Sequence, residues 1–251
     1  TLTYFARDYV QTSSTGVQSM MFNVWNLVLV IFGVYAAFSL FQSNTGKGKV
    51  ISAVVLAGVA GVLYLMYQNT PAETAVSAPI FQQFNPFFVV ALTPVSLAFF
   101  GMLAKRNAEP SAPKKIGLGM LIAAIGFLVI AAGSNGLLTP NAQAAGIAAG
   151  EDVTRVSANW LVSTYLVLTF AELFLSPMGI SFVSKVAPPK MKGMMMGGWF
   201  VATAIGNMLT VVPAMIWGDQ NLIIVWGLLI GLCLVSAVFI FAILKKLEKV
   251  C

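Results

Sequence analysis

Seven stretches of this 251-residue sequence are nearly unbroken runs of apolar residues: 20–41, 50–68, 84–104, 116–133, 159–183, 194–217 and 222–244. Each is long enough to cross the roughly 30 Å hydrocarbon layer as a helix. Membrane barrels leave shorter segments that alternate apolar and polar positions, whereas these runs are continuous and rich in Leu, Ala, Val and Gly. Only helices satisfy the backbone of such segments in lipid. The pattern therefore predicts an all-α membrane protein of seven spans, preceded by a polar-ended stub, TLTYFARDYVQTSS.

Composition agrees and excludes a soluble domain. Hydrophobic residues make up 59% of the chain and charged residues 9%, and the mean hydropathy is +0.88. The sequence opens at Thr1 with no basic segment ahead of its first apolar run, which is unlike a signal peptide and reads as a piece of a longer polypeptide. Cys233 and Cys251 would stand about 27 Å apart on one helix, beyond the ~7 Å that a disulfide spans, so both are expected as thiols. With no His and two Cys, the usual zinc and haem ligand sets are missing. Neither a metal nor a cofactor is expected.

Charge sorts the connections into two kinds. Lys47 and Lys49, then Lys105, Arg106, Lys114 and Lys115, then Lys185, Lys190 and Lys192, and finally Lys245, Lys246 and Lys249 fall in alternate connections and the tail. The remaining segments hold only Arg7 and Arg155, with Asp8, Glu73, Glu151, Asp152 and Asp219. The positive-inside rule puts the basic connections and the C-terminus in the cytoplasm and the stub outside. The net charge of +6 is then topological, and nucleic acid is not an expected partner.

Glu109 and Glu248 also lie in basic segments, which leaves Glu172 as the one charged residue deep inside a span. A charge there costs roughly 2.5 to 3.5 kcal/mol even on insertion scales. Tyr165, Thr169, Glu172, Ser176 and Gly179 recur at helical spacing and form a polar stripe, while Leu166, Phe170, Leu173, Phe174 and Leu175 cover the other faces. Pro177 cannot donate to Leu173 and is expected to bend or open the helix one turn from the carboxylate. Interrupted helices at mid-membrane mark binding sites in carriers; a Glu bonded to a neighbouring helix for packing is the other reading. Trp199, Thr203, Gly206 and Thr210 form a second face, with Asn207 adjoining and Pro213 as a further kink. Asn85, Thr93 and Ser96 form a third, with Pro86 and Pro94 punctuating that helix. Small and hydroxylic residues also serve membrane helix packing, and Trp199 is equally placed to anchor at the interface.

The segment ELFLSPMGISFVSKVAPPKMKGMMMGGWF, continuing to IGN at residues 205–207, resembles helices ten and eleven of the proton-dependent oligopeptide transporters of the major facilitator superfamily. FNP at residues 84–86 resembles the start of family helix eight, and TLTYFARDYV the outer end of helix seven. The resemblance implies the C-terminal half of a twelve-helix carrier. Residues 1–15 would then be the outer end of helix seven, 16–70 an inserted transmembrane hairpin and 71–251 helices eight to twelve, with the N-terminal bundle missing. The hairpin departs from the family pattern; containing Gly58 and Gly61 and no charge within the membrane, it is read as a peripheral accessory or an oligomer contact.

What the resemblance implies for function is proton-coupled symport of di- and tripeptides in a bacterial cytoplasmic membrane, protons being the coupling ion. Glu172 would meet the peptide ammonium, Ser176 and Asn85 its backbone, and Trp199 would wall a side-chain pocket; Arg7 and Asp8 are either an outer gate or a solvated pair. The cation for the peptide carboxylate would come from the missing bundle. A drug or nitrate carrier of the same superfamily is the nearest alternative, and a channel or scaffold the next. A lone carboxylate without a nucleophile or base offers no catalytic set, so an enzyme is not expected.

Overall fold

The computed structural model describes residues 1–249; the thiol expected at Cys251 lies outside them. The stub forms α1 (Leu2–Tyr9), followed by the short strand β1 (Ser13–Thr15) and a single turn, α2 (Val17–Met21). A helical hairpin comes next, α3 (Val24–Gln42) and α4 (Gly46–Gln68). Asn23 and Thr45 set its two starts, their side chains accepting from the backbone N–H of Trp25 and Gly48, donors that a first turn otherwise leaves unpaired. The cap at Asn23 moves the first span four residues from its predicted start. Strand β2 (Glu73–Ala75) returns to pair antiparallel with β1, and a 3-10 turn over Ala78–Gln83 leads into α5 (Phe84–Lys105). Then follow α6 (Ala112–Gly133), α7 (Pro140–Ala148), α8 (Ala158–Val186), α9 (Lys192–Leu209), α10 (Val211–Met215) and α11 (Leu222–Glu248). Among the described residues, seven helical segments are long and apolar enough to cross a membrane, and they coincide with the seven predicted runs.

The two ends of these segments differ in kind. At the end away from the lysines, a cap is tied together across the chain. Tyr9 Oη donates to Leu138 O at 2.8 Å, Arg155 Nη1 to Val10 O at 3.0 Å, and Val10 bridges Val156. The best-buried core lies beneath this cap, where Phe5, Tyr9, Phe81, Phe84, Leu161 and Trp226 pack with almost no exposure. At the basic end, Ser111 donates to Glu248, which joins the α5–α6 connection to the end of α11.

Helix α6 sits between α8 and α11 at close range. A Cβ at Gly119 would lie 3.1 Å from the Ala171 carbonyl oxygen, one at Gly126 2.8 Å from Leu168, and one at Gly133 2.7 Å from the Trp160 ring. Three glycines seven residues apart thus form a flat strip against α8, the kind of surface that lets membrane helices approach closely. By contrast, no residue of α9 is buried.

Of the three prolines expected to bend or open their helices, two do not open them. Helices α5 and α8 run unbroken through Pro94 and Pro177; each proline forfeits one bond, and the neighbouring turns hold the ladder. The interruption falls at Thr210, between α9 and α10. There the ring of Pro213 crowds the carbonyl of Leu209, four residues earlier, and α9 ends on that residue.

Candidate functional site

The polar stripe of α8 meets the start of α5. Asn85 Nδ2 donates to Glu172 Oε2 at 2.9 Å and reaches Thr169 Oγ1 at 3.5 Å. Thr169, one turn before the carboxylate, is fully buried, Glu172 is half-buried, and Ser176 is exposed one turn beyond. The stripe therefore runs from the interior to an open face, with the carboxylate at the boundary. Helical spacing had put Asn85 and Glu172 on separate faces of interest; the structure joins them directly.

Trp199 arrives from α9. A Cβ at Gly179 would lie 2.3 and 2.4 Å from Trp199 Cη2 and Cζ2, so only a bare backbone admits the indole there. That contact lies about 10 Å along α8 from Glu172. The hydroxyls of the second predicted face turn back on their own helix: Thr203 Oγ1 donates to Trp199 O at 3.0 Å and Thr210 Oγ1 to Asn207 O at 2.6 Å. Thr93 does the same to Val89 O, while Ser96 is buried.

Arg7 and Asp8 are not brought to this site. They stand in the cap, Arg7 Nε 2.6 Å and Nη2 3.0 Å from the Asp8 carboxylate. Arg7 is 63% exposed but Asp8 only 14%, because Asp8 also accepts from Trp217 Nε1 at 3.2 Å. The pair is thus half built in, not freely solvated. Burial, and then the charge of Asp8, push the neighbouring Tyr9 phenol above its ordinary range.

Lys115 escaped the sequence reading. Counted there among the basic connections, it is buried at the start of α6, pairs with Glu109 and places Nζ 4.1 Å from the centre of the Phe100 ring. Phe100 in turn meets Phe174 of α8 edge-on at 4.9 Å. Nothing in the spacing of the lysines singles it out; its aromatic partner lies on the preceding helix.

A family model described as the POT family matches residues 62–222, well over half of the chain. The chain belongs to the POT family. Asn85, Glu172, Ser176 and Trp199 lie inside the matched segment, and Arg7 and Asp8 before it. The chain is similar to dipeptide and tripeptide permease B of Salmonella typhimurium, 28% identical over an alignment of 210 positions that covers 73% of this chain and 39% of the permease. It is also similar to the peptide transporter YePEPT of Yersinia enterocolitica subsp. palearctica, 36% identical over 128 residues, 51% of this chain and 23% of that one. The chain therefore spans well under two thirds of these relatives. In fold it resembles the crystal structure of peptide transporter POT in complex with sulfate, with a TM-score of 0.59 at 23% identity over 94% of this chain and 42% of the other. A mutant of peptide transporter POT in complex with alafosfalin gives 0.58 at 23% identity, over 94% and 43%. These likenesses show the fold alone, a helical membrane architecture shared with part of those structures.

Proposed function

We propose that this chain supplies the C-terminal bundle of a proton-coupled carrier of di- and tripeptides, working by alternating access in a bacterial cytoplasmic membrane. In this reading residues 1–15 are the outer end of family helix seven, 16–70 an inserted hairpin and 71–251 helices eight to twelve, with the basic end in the cytoplasm. The observation that carries it is the state of Glu172. Among the described residues the ion pairs are Arg7–Asp8 and Lys115–Glu109, so Glu172 is a half-buried carboxylate with no cation beside it, facing an open surface. An ammonium group is the complement such a site lacks, because the attraction between opposite charges strengthens as water is excluded. The relatives named for dipeptides and tripeptides supply a substrate with that group. Trp199 over Gly179 offers an apolar wall for a variable side chain, Ser176 a polar contact for the peptide backbone, and a second bundle the cation for its carboxylate. Arg7 and Asp8, joined to Trp217 in the cap, suit an outer gate.

Full-length protein in proteoliposomes tests this. Dipeptide uptake follows an inward proton gradient and stops when the gradient is collapsed. Glu172→Gln keeps size and the bond from Asn85 but removes the charge, and lowers affinity by about 10- to 150-fold, the worth of a charge-assisted contact. N-acetylated peptides, which lack the ammonium, compete poorly and lose little further on mutation. The Asn85–Glu172 bond itself favours a second reading, in which the carboxylate serves only to join α5 to α8. Normal dipeptide transport by Glu172→Gln selects that reading and removes the first.

A further inference from the structure

Pro94 leaves α5 with an acceptor to spare. In an α-helix the N–H of position 94 donates to the carbonyl of position 90, but proline has no N–H and its ring crowds that carbonyl, so Val90 O loses its partner within the helix. Val90 and Pro94 lie well inside the Ala78–Lys105 span, where no water replaces the missing bond. The donor comes from another helix. Tyr35 Oη of α3 donates to Val90 O at 3.2 Å, which also gives the phenol the partner that it lacks in hydrocarbon.

The chain just ahead of α3 holds α5 at a second level. Phe22 meets Phe84 edge-on at 5.9 Å and Phe81 at 5.4 Å, and Gln83 Nε2 donates to Met21 O at 3.4 Å. Asn85 stands between the two levels, next to Phe84 and about 7.5 Å along the axis from Val90. At about 100° per residue, Val90 and Pro94 fall on the side of α5 away from Asn85. Helix α5 is therefore backed by α3 on one side and bonded to Glu172 of α8 through Asn85 on the other. Helix α3 is itself fastened to α4 one turn beyond Tyr35, where Ser52 Oγ donates to Ser39 Oγ at 2.9 Å. Tyr35 stands at the edge of a cleft of about 610 Å³, which lies between Phe38 and Ser39 of α3 and Pro94, Leu97 and Ala98 of α5.

We propose that Tyr35 is a positioning residue for the peptide site: it stands in for the rung that Pro94 removes, and so fixes the turn of α5 that presents Asn85 to Glu172. The α3–α4 hairpin is then part of the support of the site. This role rests on the peptide site proposed above, whereas the bond from Tyr35 to Val90 is open to test without substrate.

Double-mutant cycles on the full-length protein test it. Tyr35→Phe keeps the ring and deletes only the donor, and Pro94→Ala returns an N–H to Val90 O. Without peptide, Tyr35→Phe is expected to speed hydrogen exchange over residues 84–94 by about 3-fold, the typical worth of an interhelical hydrogen bond in a membrane. In the Pro94→Ala background it leaves exchange unchanged. Dipeptide affinity falls by about the same factor in Tyr35→Phe alone. It falls no further when Tyr35→Phe is added to Pro94→Ala, or to Asn85→Ala, where the side chain being positioned is gone. A loss of affinity that is equal in all three backgrounds makes Tyr35 a general stabiliser and overturns the proposal, as does affinity or exchange that Tyr35→Phe leaves unaltered. A wild-type protein that binds no dipeptide refutes the function proposed above, and the exchange cycle then upholds or overturns the tie by itself.

Discussion

Glu172 and Gly179 sit two turns apart on one helix and place opposite demands on their neighbours. The carboxylate needs a donor, which Asn85 supplies from α5; the glycine needs its own side chain to be absent, so that Trp199 can settle on bare backbone. Gly179→Ala puts a methyl group inside van der Waals contact with the indole, and a rigid ring on a helix cannot yield by bending. Trp199 is therefore expected to swing away from α8, with a red shift of its fluorescence as it becomes more exposed. Overpacking of this kind costs typically about 1 to 3 kcal/mol, and the apparent affinity for peptides with bulky side chains falls while that for dialanine changes least. Unchanged emission in a variant whose other four tryptophans are replaced by Phe would show that the indole does not depend on this contact.

At the scale of the element, the helices were legible from hydrophobic pattern alone and their prolines were not. Length and apolarity fix a span because lipid leaves the backbone no alternative. Whether a proline breaks that span depends on what surrounds the lost bond, which spacing does not show. Pro94 and Pro177 are carried within continuous helices, whereas Pro213 stands four residues after the last residue of α9. Pro213→Ala restores a donor to the Leu209 carbonyl, so α9 and α10 are expected to fuse through Thr210. Hydrogen exchange at the new amide reads this directly: it should be slow, and fast exchange there would mean that Thr210 breaks the helix for another reason. The site was half legible. The period of α8 showed the stripe around Glu172, but the bond from Asn85 joins residues 87 apart, and the Trp217–Asp8 bond joins residues 209 apart. The short helix α7, whose Gln143 donates to Asp8 O, and the pairing of β1 with β2 likewise depend on partners remote in sequence, and the burial of Lys115 depends on how the fold closes Glu109 and Phe100 around it. The glycines at 119, 126 and 133 were visible in the sequence as a repeat of seven; their meaning waits on knowing which helix lies opposite.

The whole molecule has a tied cap at one end and twelve basic residues concentrated toward the other. Cysteines introduced at the exposed positions Asn44 and Ala108 should react with an impermeant thiol reagent only from the cytoplasmic side, and those at Ala72 and Gln220 only from outside. One position reacting from the wrong side would overturn the orientation. Between the ends, the glycine strip of α6 has a consequence for stiffness. Helix α6 meets α8 with bare glycine at three successive levels, against Ala171 O, Leu168 and the Trp160 ring, and so has little slack to slide or roll, while α9, none of whose residues is buried within this chain, meets α8 through Trp199 over Gly179. Spin labels at Lys114 and Lys185 should therefore report one narrow distance distribution, with or without dipeptide. Labels at Lys185 and Thr203 should give a broad one that narrows when dipeptide is added. The reverse result would place compliance between α6 and α8, where the packing leaves least room for it.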